Sequence, residues 1–292
     1  MPRLQSNGIE LEYESIGEGA PLVLIMGIGA QLIHWPDAFC HALADRGFRV
    51  IRFDNRDCGL STRLEHLPVP NVRRAMVRGL LGMSLKAPYT LVDMADDVAG
   101  LLDALALEDA HILGASLGGM VAQTMAITHP SRVRTLTSLM STTGNPRAAF
   151  AKPRALRALL QSPPRTKEEA VKNHLMFSRV CGSTKFELDH ADTVHRAKLS
   201  FERGIYPRGV ARQLAAVVAT GDRTGALRFV RSPTLVIHGS VDPLIPPGGG
   251  RATARAIPGS ELLMIDGMGH DLPPGTWPAV ADAVERLARK RG

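Results

Sequence analysis

Cysteine is scarce in this sequence. Three cysteines occur in 292 residues, Cys40, Cys58 and Cys181, and no two of them form a C-x-x-C pair. Such widely separated cysteines are typical of reduced thiols, because a disulfide framework or a structural zinc site needs closely matched pairs. The metal-binding motif H-E-x-x-H is also missing. We therefore expect no metal site and no fold that depends on disulfides.

Long apolar runs are missing too. A transmembrane helix needs about 18 or more consecutive apolar residues, and the chain contains no such run. The N-terminus has neither the charged start nor the apolar stretch of a signal peptide. We expect a cytoplasmic protein without a membrane span. With 292 residues, of which 45% are hydrophobic, the chain is long enough for one large α/β domain or for a core with a smaller insertion.

The positive charge is not concentrated in one run. The formal net charge is +7 and the pI is about 9.7, but the basic residues are mostly arginine and are spread along the chain. The densest group, within residues 147–167, is interrupted by Pro153, Pro163 and Pro164. Nucleic-acid-binding proteins cluster Lys and Arg on one face or in one stretch. A solvated basic surface is the better interpretation, and we predict no nucleic-acid partner.

Strand and helix patterns alternate along most of the chain. The Asn7-Gly8 pair predicts a hairpin near the N-terminus, and residues 62–89 are expected to be irregular. Apolar runs typical of buried parallel strands occur at residues 21–26, 49–53, 111–113, 133–140, 233–239 and 261–265. This alternation predicts an α/β fold in which helices cover both faces of a parallel sheet.

Residues 144–231 interrupt this alternation. Helical patterns occur near residues 166–178, 186–203 and 208–220, without a convincing strand. We therefore predict a core domain of residues 1–143 and 232–292, and a helical cap of residues 144–231. A helical insertion between sheet strands is typical of a lid over the edge at which α/β sheets bind ligands.

The segment Gly114-x-Ser116-x-Gly118 lies between a predicted strand and a predicted helix. A strand that turns sharply into a helix brings two backbones close together, and glycine on either side of the serine removes the Cβ atoms that would collide. The serine hydroxyl would then be exposed at a strained turn, next to the N-terminal amides of the helix. This context predicts that Ser116 is a nucleophile.

A serine nucleophile needs a base and a group that orients it. His270 lies in a glycine-rich loop directly after the last predicted strand, and Asp242 follows the preceding strand. Parallel strands place such loops at one edge of the sheet. Asp271 is the rival acid, but a residue adjacent to the histidine usually points away from its Nδ1 atom. We predict a triad of Ser116, Asp242 and His270, which is the chain order of a Ser-Asp-His triad on this architecture.

The glycine loop after the first parallel strand is the expected partner of this triad. Backbone amides of Ile28 and Leu117 are predicted to form an oxyanion hole. The Gly27-x-Gly29 pattern also begins like a dinucleotide fingerprint, but Leu32 occupies the third glycine position, so no nucleotide cofactor is predicted. The residues expected to line the substrate pocket are Gly27, His34, Trp35 and Leu244.

Four motifs, taken together, resemble the α/β-hydrolase superfamily. They are the serine motif, the stretch Asp54-Asn-Arg-Asp-Cys-Gly-Leu-Ser61, the stretch His238-Gly-Ser-Val-Asp-Pro243 and the stretch Gly267-Met-Gly-His270. Within that superfamily the chain is most similar to aclacinomycin methylesterase-type esterases. The resemblance implies a mostly parallel eight-stranded sheet, a helical cap after the sixth strand, no cofactor, and ester hydrolysis through an acyl-serine.

The chain departs from this pattern at two positions. Met26 replaces the histidine that many relatives have before Gly27, and Asp57 replaces the glycine that usually follows Arg56. We expect a change in the hydrogen bonds around the oxyanion loop from the first departure, and only a local effect from the second. Serine at position 116 disfavours the dehalogenase and epoxide-hydrolase branches, which use a carboxylate nucleophile.

The preferred hypothesis is a hydrolase that cleaves a small to medium carboxylic ester or lactone, as a monomer or a homodimer. The same triad also serves cofactor-free perhydrolases, which resemble non-haem haloperoxidases, and hydrolases of carbon–carbon bonds, so both remain alternatives. A hypothesis of a different class is a non-catalytic receptor that binds small molecules on this fold. Labelling of Ser116 by a fluorophosphonate separates the enzymes from the receptor.

Overall fold

The computed structural model describes residues 2–81, 83 and 85–291. Within these residues, eight strands form one sheet. They are β1 (Arg3–Ser6), β2 (Ile9–Ile16), β3 (Ala20–Ile25), β4 (Phe48–Phe53), β5 (Ala110–Ala115), β6 (Val133–Leu139), β7 (Thr234–Gly239) and β8 (Glu261–Ile265). The spatial order is β1-β2-β4-β3-β5-β6-β7-β8. β2 pairs antiparallel with β1 and β4, and all other neighbours are parallel. The predicted α/β fold with a mostly parallel eight-stranded sheet is confirmed.

The described residues also form eleven α-helices. They are α1 (Asp37–Ala44), α2 (Val72–Leu80), α3 (Leu91–Ala104), α4 (Leu117–Thr128), α5 (Pro153–Leu159), α6 (Lys167–Cys181), α7 (His190–Arg203), α8 (Pro207–Thr220), α9 (Thr224–Leu227), α10 (Gly248–Ala256) and α11 (Trp277–Ala288). None of these helices is long and apolar enough to cross a membrane.

The central strand β5 is buried on both faces, as its continuous apolar run predicts. Successive side chains of a strand point to opposite faces. Ile112 therefore joins the core formed with Val98 of α3 and Val121 of α4, whereas Leu113 joins Phe39 of α1 on the other side. The two apolar layers hold β5 in place, and with it the turn that follows its last residue.

The expectation that residues 62–89 are irregular is wrong for residues 72–80, which form α2. Asn71 caps this helix, since its side chain accepts a hydrogen bond from the Arg74 amide at 3.0 Å. Ala75 is buried, and Gly79 lies close to Val218 of α8. The short helix is thus stabilised by a tertiary partner far along the chain, which a local pattern does not reveal.

Residues 144–231 contain α5 to α9 and lie between β6 and β7; we call them the inserted segment. Its three predicted helical patterns correspond to α6, α7 and α8. The sequence analysis did not identify the shorter helices α5 and α9 in this segment, or α10 after β7, which begins with three glycines. Glycine disfavours a helix interior, so packing must supply the stability that local propensity does not.

The prediction that aspartate in place of glycine at position 57 changes the structure only locally is wrong. Asp57 is buried with a φ of 63° and accepts hydrogen bonds from Nε and Nη2 of Arg212 on α8, both at 2.8 Å. Arg212 is also buried, and the phenol of Tyr206 accepts a further hydrogen bond from its Nη2. A buried charge is costly unless it is paired. The Asp57–Arg212 pair therefore fixes the inserted segment to the turn after β4.

Close packing of α4 on β3 depends on glycine at position 118. A Cβ atom there would overlap the carbonyl oxygen of Ile25, which is backbone and cannot move aside. We expect Gly118→Ala to lower the free energy of unfolding by about 3 kcal/mol or to prevent folding. Urea denaturation measures the change. Gly225→Ala is the matched control, because a Cβ atom at position 225 would meet only the Arg228 side chain, at an ordinary contact distance of 3.9 Å; equal stability losses would contradict the prediction.

Candidate active site

Ser116 occupies the turn between β5 and α4. Its backbone has φ 55° and ψ −117°, a strained conformation for a residue with a side chain. Two hydrogen bonds hold the turn: the Ser116 amide donates to Leu139 O at 2.9 Å, and Ser141 Oγ donates to Ser116 O at 2.8 Å. The structure thus places this serine as the sequence predicts, with its carbonyl and amide both held by β6 and the residues after it.

The structure brings Ser116, His270 and Asp242 together. His270 Nε2 lies 3.0 Å from Ser116 Oγ, and His270 Nδ1 lies 2.7 Å from Asp242 Oδ2. Asp242 is only 1% exposed, and its Oδ1 accepts hydrogen bonds from the amides of Leu244 and Ile245. This network makes Nδ1 of His270 the donor to Asp242, which leaves Nε2 free to accept the serine proton.

The rival acid, Asp271, is engaged elsewhere. Its carboxylate accepts hydrogen bonds from Ser183 Oγ at 2.6 Å and from the Ser183 amide at 3.0 Å. Burial raises the pKa of Asp271, and the bonds from Ser183 oppose this shift. Asp271 therefore ties the loop after β8 to the end of α6. The imidazole of His270 also contacts α6, because the Phe177 ring packs edge-on against it.

The predicted oxyanion amides belong to Leu117, which follows Ser116 in the chain, and to Ile28, which follows Gly27. In the described part of the chain, neither the Ile28 amide nor the Leu117 amide has an acceptor. Gly27 lies against the serine, since a Cβ atom on it would be 3.3 Å from Ser116 Cβ. The next amide, that of Gly29, donates to Gln213 Oε1 at 2.8 Å. The loop is thus held by α8, with two amides left unused beside the serine.

The loop after β3 has further supports that the sequence analysis did not identify. Asp54 accepts hydrogen bonds from the Leu32 amide and from Arg203 Nη2, both at 2.6 Å. Gln31 donates to the carbonyl oxygens of Ser200 and Gly204 at the end of α7. Burial raises the pKa of Asp54, whereas the hydrogen bonds and Arg203 lower it. The contacts with α7 and Gly204 connect positions 149 to 173 residues apart, so no local motif indicates them.

A cavity of about 720 Å³ lies above Ser116 and His270, between the sheet and the inserted segment. All four predicted pocket residues line it: Gly27, His34, Trp35 and Leu244. Its wall is mostly apolar, with a group of polar side chains from α6 and α7. Among the described residues, no group of three or more His, Cys, Asp or Glu could hold a metal ion.

Two histidines form a neutral pair on the cavity wall. His174 Nδ1 lies 3.0 Å from Ala170 O, so it donates there and its Nε2 is an acceptor. His34 Nε2 lies 3.1 Å from His174 Nε2 and must donate to it, which leaves His34 Nδ1 to accept from the Gln31 amide. Burial, together with His174 and the cationic Arg196, lowers the pKa of His34 to about 3, and burial also lowers that of His174.

This pair predicts a pH dependence of stability. The folded protein keeps His34 neutral down to a pKa of about 3, whereas the unfolded chain protonates it near 6.5. The stabilisation is therefore complete above pH 6.5 and is lost as pH falls, by at most about 1.4 kcal/mol per pH unit. Urea denaturation between pH 7 and 4 measures the slope. We expect His34→Gln to flatten it and His195→Gln, an exposed histidine of α7, to leave it unchanged; parallel slopes in all three proteins would contradict the prediction.

Comparison with known proteins agrees with this fold. A family model described as alpha/beta hydrolase fold matches residues 20–273. The chain belongs to the α/β-hydrolase fold family. The resemblance that the four sequence motifs indicate is thereby confirmed.

This α/β-hydrolase is similar over almost its whole length to several known proteins. Rhodomycin D methylesterase DnrP of Streptomyces peucetius is 27% identical over an alignment that covers 96% of this chain and 95% of that protein. A thermophilic esterase of Thermogutta terrifontis is 27% identical with a TM-score of 0.70, covering 99% of both chains. The meta-cleavage product hydrolase of Pseudomonas fluorescens IP01 has a TM-score of 0.78 at 20% identity, covering 100% of this chain and 98% of that one. At that identity the likeness concerns the fold alone.

Proposed function

We propose that this α/β-hydrolase cleaves a carboxylic ester or lactone through an acyl-serine intermediate. Ser116 is the nucleophile, His270 the general base and Asp242 the group that orients the imidazole. The amides of Ile28 and Leu117 form the oxyanion hole, and the inserted segment acts as the cap. The contact that supports the proposal best is the 3.0 Å separation of His270 Nε2 from Ser116 Oγ, with Asp242 on the other ring nitrogen.

The chemistry follows from these positions. Ser116 Oγ attacks the ester carbonyl carbon while its proton passes to His270 Nε2, and the carbonyl oxygen becomes an oxyanion. Each amide donor to that oxyanion is expected to contribute about 3–4 kcal/mol to transition-state stabilisation. His270 then protonates the departing alkoxide, which leaves as the alcohol. Water attacks the acyl-serine and gives a proton to His270, which passes it to Ser116 Oγ as the bond between Oγ and the acyl carbon breaks; the carboxylic acid leaves and Ser116 is restored.

Relatives support ester hydrolysis as the reaction. A methylesterase and an esterase match this chain over nearly its full length, and the prediction of an ester hydrolase is consistent with both. A mostly apolar cavity of about 720 Å³ suits an organic ester of small to medium size.

A panel of p-nitrophenyl esters of increasing acyl length tests the proposal. We expect an initial burst of p-nitrophenol, steady turnover, and covalent labelling of the protein by a fluorophosphonate. The optimum acyl length reports how much of the cavity the acyl group fills. Binding of esters without a burst and without labelling would contradict the proposal and support a non-catalytic receptor.

A further inference from the structure

Two buried N–H donors on the cavity wall have no acceptor. In the part of the chain that the structure describes, neither Nε of Arg196 nor Nε1 of Trp35 has a hydrogen-bond partner. Both residues line the cavity that contains Ser116. Buried polar groups in native proteins are almost always satisfied, so an unpaired donor beside an active site calls for an explanation. An acceptor that arrives with the substrate would supply one.

The guanidinium of Arg196 is held in place by its other nitrogens. Nη1 donates to the carbonyl oxygen of His34 at 3.0 Å, and Nη2 pairs with Asp192, one turn earlier on α7, at 2.7 Å. Arginine is planar and stays charged, so two fixed nitrogens also fix the direction of the third. Arg196 is therefore preorganised, and the described residues engage only two of its five N–H groups, which leaves Nε–H and the second N–H of each Nη for a ligand.

The residues around Arg196 form a polar part of an otherwise mostly apolar cavity. His34 contacts Arg196 through its carbonyl and contacts His174 through its ring. Asn173, next to His174 on α6, lines the same cavity. The two imidazoles use their Nε2 atoms on each other, which leaves Arg196 as the cationic donor of this group. A few fixed polar groups in an apolar pocket are typical of sites that orient a ligand.

We propose that Arg196 is a specificity-determining residue that binds an acceptor oxygen of the substrate, a carbonyl or a carboxylate remote from the ester that Ser116 attacks. This inference rests on the proposed function. It defines the substrate class as an ester or lactone with an apolar body and a second oxygen function. An ester without that oxygen leaves the unused N–H groups of Arg196 unpaired in the complex, and sites built to bond a polar group discriminate against analogues that lack it.

Three p-nitrophenyl esters of equal acyl length test this inference: the hexanoate, the 5-oxohexanoate and the monoester of adipic acid. The quantity compared is kcat/KM for each oxygenated ester divided by kcat/KM for the hexanoate. We expect a ratio of about 10–100 in the wild type for at least one oxygenated ester, as one hydrogen bond to a charged group predicts. The difference in kcat/KM should lie mainly in KM. Comparison of the 5-oxohexanoate with the adipic acid monoester shows whether Arg196 prefers a carbonyl or a carboxylate oxygen.

Arg196→Gln is expected to bring this ratio to about 1. Arg196→Lys keeps the positive charge but lacks the planar donor, and we expect an intermediate ratio for the carboxylate. Arg179→Gln, which changes an exposed arginine on α6, is the matched control and should keep the wild-type ratio. Thermal unfolding of each variant checks that it is folded; if Arg196→Gln is not, Arg196→Lys carries the comparison.

The possible outcomes separate this inference from the proposed function. Hydrolysis of all three esters with a ratio of about 1 in the wild type, or with an unchanged ratio in Arg196→Gln, overturns this inference alone. Failure of every ester to react, with no fluorophosphonate labelling of Ser116, overturns the proposed function and this inference with it.

Discussion

Replacement of Ser116 by alanine is expected to lower kcat for p-nitrophenyl butyrate by about 10⁴–10⁶-fold. The variant keeps the fold, because the serine side chain donates only towards His270 while the backbone makes the bonds that hold the turn. It loses the atom that forms the acyl intermediate, and water must attack the ester directly. Stopped-flow measurement should show no burst, and a fluorophosphonate should no longer label the protein.

Ser131→Ala provides the control for this experiment. Ser131 is exposed in the short helix Pro130–Arg132, before β6 and therefore at the opposite edge of the sheet from Ser116. We expect its activity and labelling to match those of the wild type. Turnover by Ser116→Ala within about tenfold of the wild type would rule out Ser116 as the nucleophile, since the loss of a nucleophile costs far more than that.

The second large effect is expected at Asp242. Asp242→Asn should lower kcat by about 10⁴-fold, because an amide presents a donor to His270 Nδ1 and favours the tautomer that cannot accept the serine proton. The side-chain oxygen that remains in this variant can still accept the hydrogen bonds from the Leu244 and Ile245 amides, so the turn is expected to remain folded. Steady-state kinetics and a thermal melt together distinguish lost catalysis from lost structure.

Asp271→Asn is the matched comparison, since it makes the same change, from a carboxylate to an amide, at the aspartate next to His270. Asp271 bonds to Ser183 and not to the imidazole, so we expect less than a tenfold change in kcat, with an effect mainly on stability. The opposite ranking, with Asp271→Asn inactive and Asp242→Asn active, would show that Asp271 and not Asp242 orients the histidine.

Buried polar contacts join the inserted segment to the loops around Ser116. Arg212 pairs with Asp57, Arg203 pairs with Asp54, and Gln213 accepts a hydrogen bond from the Gly29 amide. Buried ion pairs often contribute little net stability, because desolvation opposes the attraction. Here these pairs fix the position of α7 and α8 relative to the loops around Ser116. A shift of either helix would move the loop that carries the Ile28 amide. The position of α7 and α8 and the geometry of the loop beside Ser116 are thus mechanically linked.

Much of the core was predictable because its signals are local. A continuous apolar run indicates a buried parallel strand, and glycine two residues before and after Ser116 indicates a tight turn between strand and helix. Asp242 and His270 could be selected because each follows a strand, and parallel strands end at one edge of the sheet. The structure places His270 within hydrogen-bond distance of both Ser116 and Asp242.

Other features could not be predicted because their partners lie far away in the chain. α2 is short and depends on α8, so its own sequence reads as irregular. Asp57 looked like a local change in a turn, yet it pairs with a residue 155 positions later. The unsatisfied Nε of Arg196 and the neutral pair of His34 with His174 depend on which helices pack over the cavity.

The amino-acid sequence by itself determined the strand pattern, the turn at Ser116 and the choice of acid and base. These follow from backbone conformation and from the alternation of apolar residues, which act over a few positions. Only the tertiary structure decided which polar groups of the inserted segment face the cavity and which are already paired. That outcome depends on the packing of helices that are remote in the chain, and the energy of a buried charge depends on what surrounds it.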